Sequence, residues 1–414
     1  MVVLATALGW TASSAGDTDR DLQRAQRKLY LASLGDYEPS PTRSGLADSA
    51  AQPRKPRGPT PRVAARPTTP ARSAPADLQS EVARLGGQVA ELKEAMKAQD
   101  ELAGASARDS QRVQITSWLD LDFNYESRGG KPSTFDNEHV YYIFSGQVSP
   151  EWKAYSEIEF ERGAELGGGG AGNGDILVEQ AWANYAKSQY LAFRLGKFLT
   201  PYGIWNRNHW DPITETGREP FVFRQALIPV NQTGVSAGGS VHRGRTEIDY
   251  IAYLTNGRGK SQHADDPNAN KALGFDLSVG KPRRWRLGLS GFRDRDDADA
   301  NRLEEIVELW WTFDCGPWHA QAEWLRHGGD RSIDSFYIQP SYRIDRHLKL
   351  VFRYDTWDPN RDSVTDLRQS EYLVGLNHRF ADGVLGKLEY LRHDDEAPGA
   401  ASFNRYGSSL SILF

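Results

Sequence analysis

From Val113 onward apolar and polar residues take turns along the chain. In the stretch from Tyr190 to Phe198, Leu191, Phe193 and Leu195 alternate with Ala192, Arg194 and Gly196. A period of two places one set on each face of a strand. The same rhythm predicts sixteen strands, at 113–125, 137–148, 152–162, 176–186, 190–198, 233–242, 245–254, 271–280, 284–293, 304–314, 318–327, 333–343, 347–356, 370–380, 384–393 and 403–414. One face carries bands such as Leu119, Leu121 and Phe123, or Leu273, Phe275, Leu277 and Val279. The other carries Asp120 and Asp122, then Glu157, Glu159 and Glu161, and later Lys349, Arg353 and Asp355. Isolated charges are not buried without partners, so a face this charged is expected to line water. Every second connection is tight, as at Ser149-Pro150-Glu151, Arg243-Gly244 and Ala381-Asp382-Gly383, whereas the others are longer and polar, as at 163–175. Short turns at one end and long loops at the other is the organisation of an outer-membrane β-barrel. Trp152, Tyr190, Trp285 and Trp318 stand beside the short turns, where an interfacial aromatic belt belongs. A soluble sandwich would also alternate, but it gives no reason for the strict short–long rhythm.

The connection after the strand ending at Phe198 is unlike the rest. It holds Tyr202, Trp205, Trp210, Phe221 and Phe223 beside Arg207, His209, Arg218 and Arg224. Long loops without their own structure are uncommon and usually functional. One this rich in aromatics and arginine is expected to fold inward against the surrounding wall.

The first 112 residues read differently. Residues 1–15, an apolar run followed by Thr11-Ala12-Ser13-Ser14-Ala15, look like the remnant of a secretory signal peptide. Residues 16–76 read as a Pro- and Arg-rich linker with a short helix near its start; such a composition buries too little apolar surface to offset the entropy of ordering. In 77–103, Leu78, Val82, Leu85, Val89, Leu92 and Met96 repeat at heptad spacing, which predicts a coiled-coil helix. The lone Cys315 excludes a disulfide framework, and the net charge of −5 gives no nucleic-acid footprint. Gly234-Val235-Ser236-Ala237-Gly238 has the spacing of a hydrolase nucleophile elbow but lies within a predicted strand with no helix after it, so no catalytic residue, cofactor or metal site is expected.

Four motifs bring in a family. Glu179-Gln180-Ala181-Trp182, Arg194-Leu195-Gly196-Lys197-Phe198, Thr200-Pro201-Tyr202-Gly203 and His209-Trp210-Asp211-Pro212, with Phe414 at the end of the last strand, resemble the phosphate-selective porins O and P. The resemblance covers residues 112–414 and is most specific over 179–212. It implies an all-β, sixteen-stranded antiparallel barrel that forms a homotrimer in the outer membrane of a Gram-negative bacterium. It also implies that the third long loop, about Leu199 to Gln232, folds inward to constrict the pore, and that the helical segment before the barrel stands in the periplasm.

Candidate constriction residues are Arg194, Arg207, His209, Asp211, Arg218 and Arg224, opposite Asp120, Glu159, Glu323, Arg353 and Asp355 on the wall. Two arrangements of these charges stay open at this point: opposed across a gap, where they set up a transverse field, or paired, where they pin the loop. Charged rings decide ion preference in such channels. A phosphate-type pore implies ladders of arginine and lysine, whereas carboxylates outnumber basic groups on these inner faces, a balance that points to a cation-tolerant or neutral path. The expected function is passive diffusion of small polar or charged solutes, with phosphate or another anion as the preference that the family implies. The alternative is an anchor that tethers outer-membrane lipid to the cell wall through the N-terminal segment.

Overall fold

The computed structural model describes residues 113–128, 132–162, 174–225, 227–257, 270–295, 303–329 and 332–414. The expected signal remnant, linker and coiled coil lie outside these. Sixteen strands follow one another: β1 (Gln114–Glu126), β2 (Thr134–Gln147), β3 (Trp152–Glu161), β4 (Ile176–Ser188), β5 (Leu191–Leu199), β6 (Asn231–Arg243), β7 (Thr246–Thr255) and β8 (Ala272–Lys281). The second half is β9 (Trp285–Arg295), β10 (Leu303–Cys315), β11 (Trp318–Gly329), β12 (Ile333–Arg343), β13 (Leu348–Asp358), β14 (Gln369–Ala381), β15 (Val384–Asp395) and β16 (Phe403–Leu413). One helical turn, α1 (Phe221–Arg224), lies in the loop between β5 and β6.

Each strand pairs antiparallel with its neighbours in sequence, and β1 pairs with β16 to close the barrel. Closure removes the open edges that a sheet would otherwise present to lipid. The seam is tied by two reciprocal backbone bonds, Ser117 N to Phe414 O at 3.0 Å and Phe414 N to Ser117 O at 2.8 Å. The predicted strands match the observed ones to within a few residues. The largest difference is at β2, which begins three residues earlier than expected, and β6 begins two residues early. Asn231 and Gln232 join the ladder opposite Leu199 and Phe198 although their polarity reads as loop.

The distribution of apolar surface is that of a membrane protein. Leu121, Phe275, Leu277, Leu309, Phe352 and Val374 point outward and are exposed, as are Trp152, Tyr190, Trp285 and Trp318 beside the short turns. The apolar core sits inside the barrel instead. Tyr202, Trp210, Phe221, Leu227 and Ile228 of the β5–β6 loop pack against Trp118, Tyr155, Trp182, Phe292 and Leu325 of the wall. The loop therefore crosses the lumen and gives the barrel its interior.

Candidate functional site

The loop is closed at its neck before it enters the lumen. Thr200 N donates to Val230 O (2.9 Å), and its hydroxyl donates to Pro229 O (2.6 Å). Asn206 Nδ2 donates to both Thr200 O and Val230 O, at 2.8 and 3.0 Å. The Thr200-Pro201-Tyr202-Gly203 motif is the entry bend. Gly203 has φ +55, and a Cβ there would press into the carboxylates of Glu308 and Glu323. Only glycine combines that backbone angle with that close approach.

From this point wall side chains hold the loop in sequence. Gly203 N donates to Ser290 Oγ (3.2 Å), and Trp205 N to Glu323 Oε1 (2.7 Å). Arg207 forms an ion pair with Asp276 and lies over the ring of Trp310. Trp210 Nε1 donates to Glu157 Oε1 at 2.6 Å. Glu215 accepts from Ser341 and Lys349, at 2.8 and 2.9 Å. Gly217 N and Arg218 N both donate to Glu389, and Phe221 N donates to Asp355 Oδ2. The Arg353 guanidinium donates to Thr216 Oγ1 and Arg218 O. Arg218 and Arg224 converge on Glu371, each at 3.1 Å.

These contacts change how the inner charges read. Asp120, Glu159, Glu323, Arg353 and Asp355 were expected to line water, yet each is at most 4% exposed. Glu323, Glu389 and Asp355 accept backbone N–H groups that the loop would otherwise leave unpaired inside the barrel. Much of the apparent acidic surplus is therefore an acceptor set for an inserted segment. Arg194 lies on β5, outside the loop, where it is buried over the ring of Trp182 at 4.2 Å. Among the described residues, Glu157, Glu179, Glu215, Asp276, Glu371, Lys387 and Glu389 belong to the same network, and of these Asp276, Glu371, Lys387 and Glu389 escaped the sequence reading. Inward alternation marks most of them as lumen-facing, but nothing local marks their partners.

The loop's own titrating groups follow the same contacts. Burial raises the Asp211 and Glu215 carboxyls, but Lys387 with His139 beside the first, and Lys349 with His319 and Ser341 beside the second, together outweigh it and hold both below the usual range. Glu219 is pushed up because burial outweighs Arg224. His209 is set between the rings of Trp210 and Phe223. Its Nδ1 meets Asn206 O at 2.9 Å and its Nε2 meets Glu179 Oε1 at 3.1 Å. Two acceptors require two N–H groups, hence an imidazolium. Burial opposes that charge, but the Glu179 carboxylate outweighs it and pushes the pKa up to about 9 from 6.5. The stability that His209 contributes is thus complete below about pH 6.5 and lost as pH rises through about 9. The melting temperatures of wild type and His209→Phe should differ most at pH 6 and converge by pH 10; a constant gap would show that the ring acts through packing alone.

At the short-turn end the loop leaves a cavity of about 590 Å³. Trp205, Asn208 and Glu215 line it from the loop, and His319, Lys349 and Arg379 from the wall. No helix among the described residues is long and apolar enough to cross a membrane, a test that does not concern strands.

Comparison with known proteins agrees with this architecture. An uncharacterised protein of Aquifex aeolicus (strain VF5) is 28% identical over 337 residues, covering 68% of this chain and 76% of its own length. The anion-selective porin from Comamonas acidovorans superposes with a TM-score of 0.55 at 12% identity, covering 73% of this chain and 99% of that one. OmpT of Vibrio cholerae, an outer membrane protein solved in a trimer form, gives 0.53 at 13% identity, covering 73% and 99%. Likenesses this remote in sequence establish the shared barrel. The sequence profile of the phosphate-selective porins O and P matches residues 113–397, and the chain belongs to that family of Gram-negative outer-membrane porins.

Proposed function

We propose that the barrel is a passive, anion-preferring channel for small polar or charged solutes, working without turnover or cofactor, as a homotrimer in contact with outer-membrane lipid. The observation that carries this reading is the loop pinned across the lumen, which narrows the path without filling the short-turn end. An anion preference is supported by the use of wall carboxylates as acceptors for loop N–H groups, which removes them from the path. The cavity also gathers Arg343, Arg346, Lys349 and Arg379 against Asp314, Glu215 and Asp345. The anion-selective Comamonas acidovorans porin, built on the same barrel, supports the same sign. The segment before the barrel would then stand in the periplasm, where it could also reach the cell wall.

Planar-bilayer recording under a salt gradient tests the reading. Conductance in steps of three with an anion-signed reversal potential is the expected result. Replacing Arg207 and Arg224 by Ala should raise conductance and move the reversal potential toward cations, because Asp276 and Glu371 then lose basic partners. A cation-signed wild type would overturn the anion preference. Silence from folded protein would overturn the channel and favour the tether.

A further inference from the structure

We propose that Asp120, His139 and Asp211 form a binding site for a divalent transition-metal ion that ties the inserted loop to the first two strands. Asp120 and His139 are directly opposed across the β1–β2 ladder, so their side chains share the inner face. The register shifts just beyond this pair, between Asp120 and Asp122. Bulges of this kind re-aim neighbouring side chains. Asp211 arrives from the loop, one residue after Trp210. One ligand atom from each of the three residues lies within 4.8 Å of the others. That span fits an ion about 2.0–2.4 Å from each donor.

Three further features distinguish this cluster from an ordinary ion pair. Asp120 is 1% exposed, and neither of its carboxylate oxygens makes a well-formed hydrogen bond, although the Ser411 hydroxyl stands nearby. An unpaired buried carboxylate is costly and calls for a cation. His139 Nδ1 is likewise buried without a hydrogen bond and faces Asp211 Oδ2 at 3.5 Å. The other nitrogen, Nε2, is 3.4 Å from Glu159 Oε1, which is itself held by the Tyr141 hydroxyl at 2.5 Å. A carboxylate that accepts the Nε2–H fixes the tautomer and leaves the Nδ1 lone pair for a metal, which is the usual outer arrangement around a metal-bound histidine. Lys387 Nζ sits 3.5 Å from Asp211 Oδ1, leaving Oδ2 on the His139 side. Lys387 brings one positive charge, and Asp120, Asp211 and Glu159 bring three negative ones. One imidazole with two carboxylates favours zinc, manganese or iron over calcium or magnesium. The donors come from positions 120, 139 and 211, so no local spacing motif announces them.

The test uses the full-length protein in detergent, stripped with chelator and titrated with Co(II). Metal per chain is counted by elemental analysis and the site is read by visible absorption. One ion per chain is expected, with a spectrum altered from that of hydrated cobalt. Asp120→Asn and His139→Gln should each abolish that spectrum. Glu159→Gln, which leaves all three ligands in place, should weaken binding by about 10–100-fold. Circular dichroism and heat-modifiable gel mobility identify the variants that fold, and any one of the three that does so is a sufficient test. Absence of binding would overturn the site. Binding unchanged in a folded variant would place the ion on histidines elsewhere and overturn it equally.

Discussion

Replacing Glu371 by alanine is expected to release the far half of the inserted loop while the barrel stays closed. Glu371 is fully buried and receives Arg218 and Arg224 at 3.1 Å and His393 at 3.2 Å. Its removal takes from two largely enclosed guanidinium groups the carboxylate they share. Breaking one side of a buried ion pair costs about 3–5 kcal/mol. The barrel ladders do not use the Glu371 side chain, so the loss falls on residues 216–224. Single-channel conductance should rise and become noisy. Trypsin should cut the folded protein after Arg218 or Arg224, sites that docking protects in the wild type. A variant with quiet, wild-type conductance and no new cleavage would show that the remaining contacts suffice to hold the loop.

Trp210→Ala is expected to loosen the near half by a different route. The Trp210 side chain is 1% exposed, meets Trp118 edge-on at a centroid distance of 6.1 Å, and donates to Glu157 at 2.6 Å. Truncating a buried tryptophan costs about 3–5 kcal/mol through lost contact and the cavity left behind. Trp210→Phe keeps most of the volume and loses only the donated bond, a cost of about 1–3 kcal/mol. Urea titration followed by proteolysis of the loop should rank wild type above Trp210→Phe and Trp210→Ala last. Equal losses in the two variants would assign the whole effect to the hydrogen bond with Glu157.

The strands were readable because lipid outside and polar surroundings inside impose opposite demands on successive residues. Leu273, Phe275 and Leu277 on β8 show this alternation without knowledge of any neighbour. The loop's inward course was readable from its aromatics, since Trp205, Trp210 and Phe221 have no reason to face solvent. What each charge would meet was not readable. Arg218 and Glu371 are 153 positions apart, and their meeting depends on how far the loop reaches and which strand faces it. Carboxylates on an alternating strand look the same whether they border water or accept backbone N–H groups. Glu323 and Asp355 alternate along their strands as water-lining groups would, while their partners are backbone N–H groups of the loop.

The seam between β1 and β16 has a consequence for the order of events when the protein forms. Strands β2 to β15 can zip to their neighbours in turn, but the sheet keeps two raw edges until β16 reaches β1 from nearly three hundred residues away. Pairing across such a separation is slow because a long loop must be closed before any contact rewards it. While those edges remain apart the lumen is an open trough, and the β5–β6 loop can be laid into it from the side. Once Ser117 and Phe414 have exchanged their bonds, the same loop would have to thread through an end. The last strand therefore acts as a latch on a filled vessel, and loop insertion is expected to come before it.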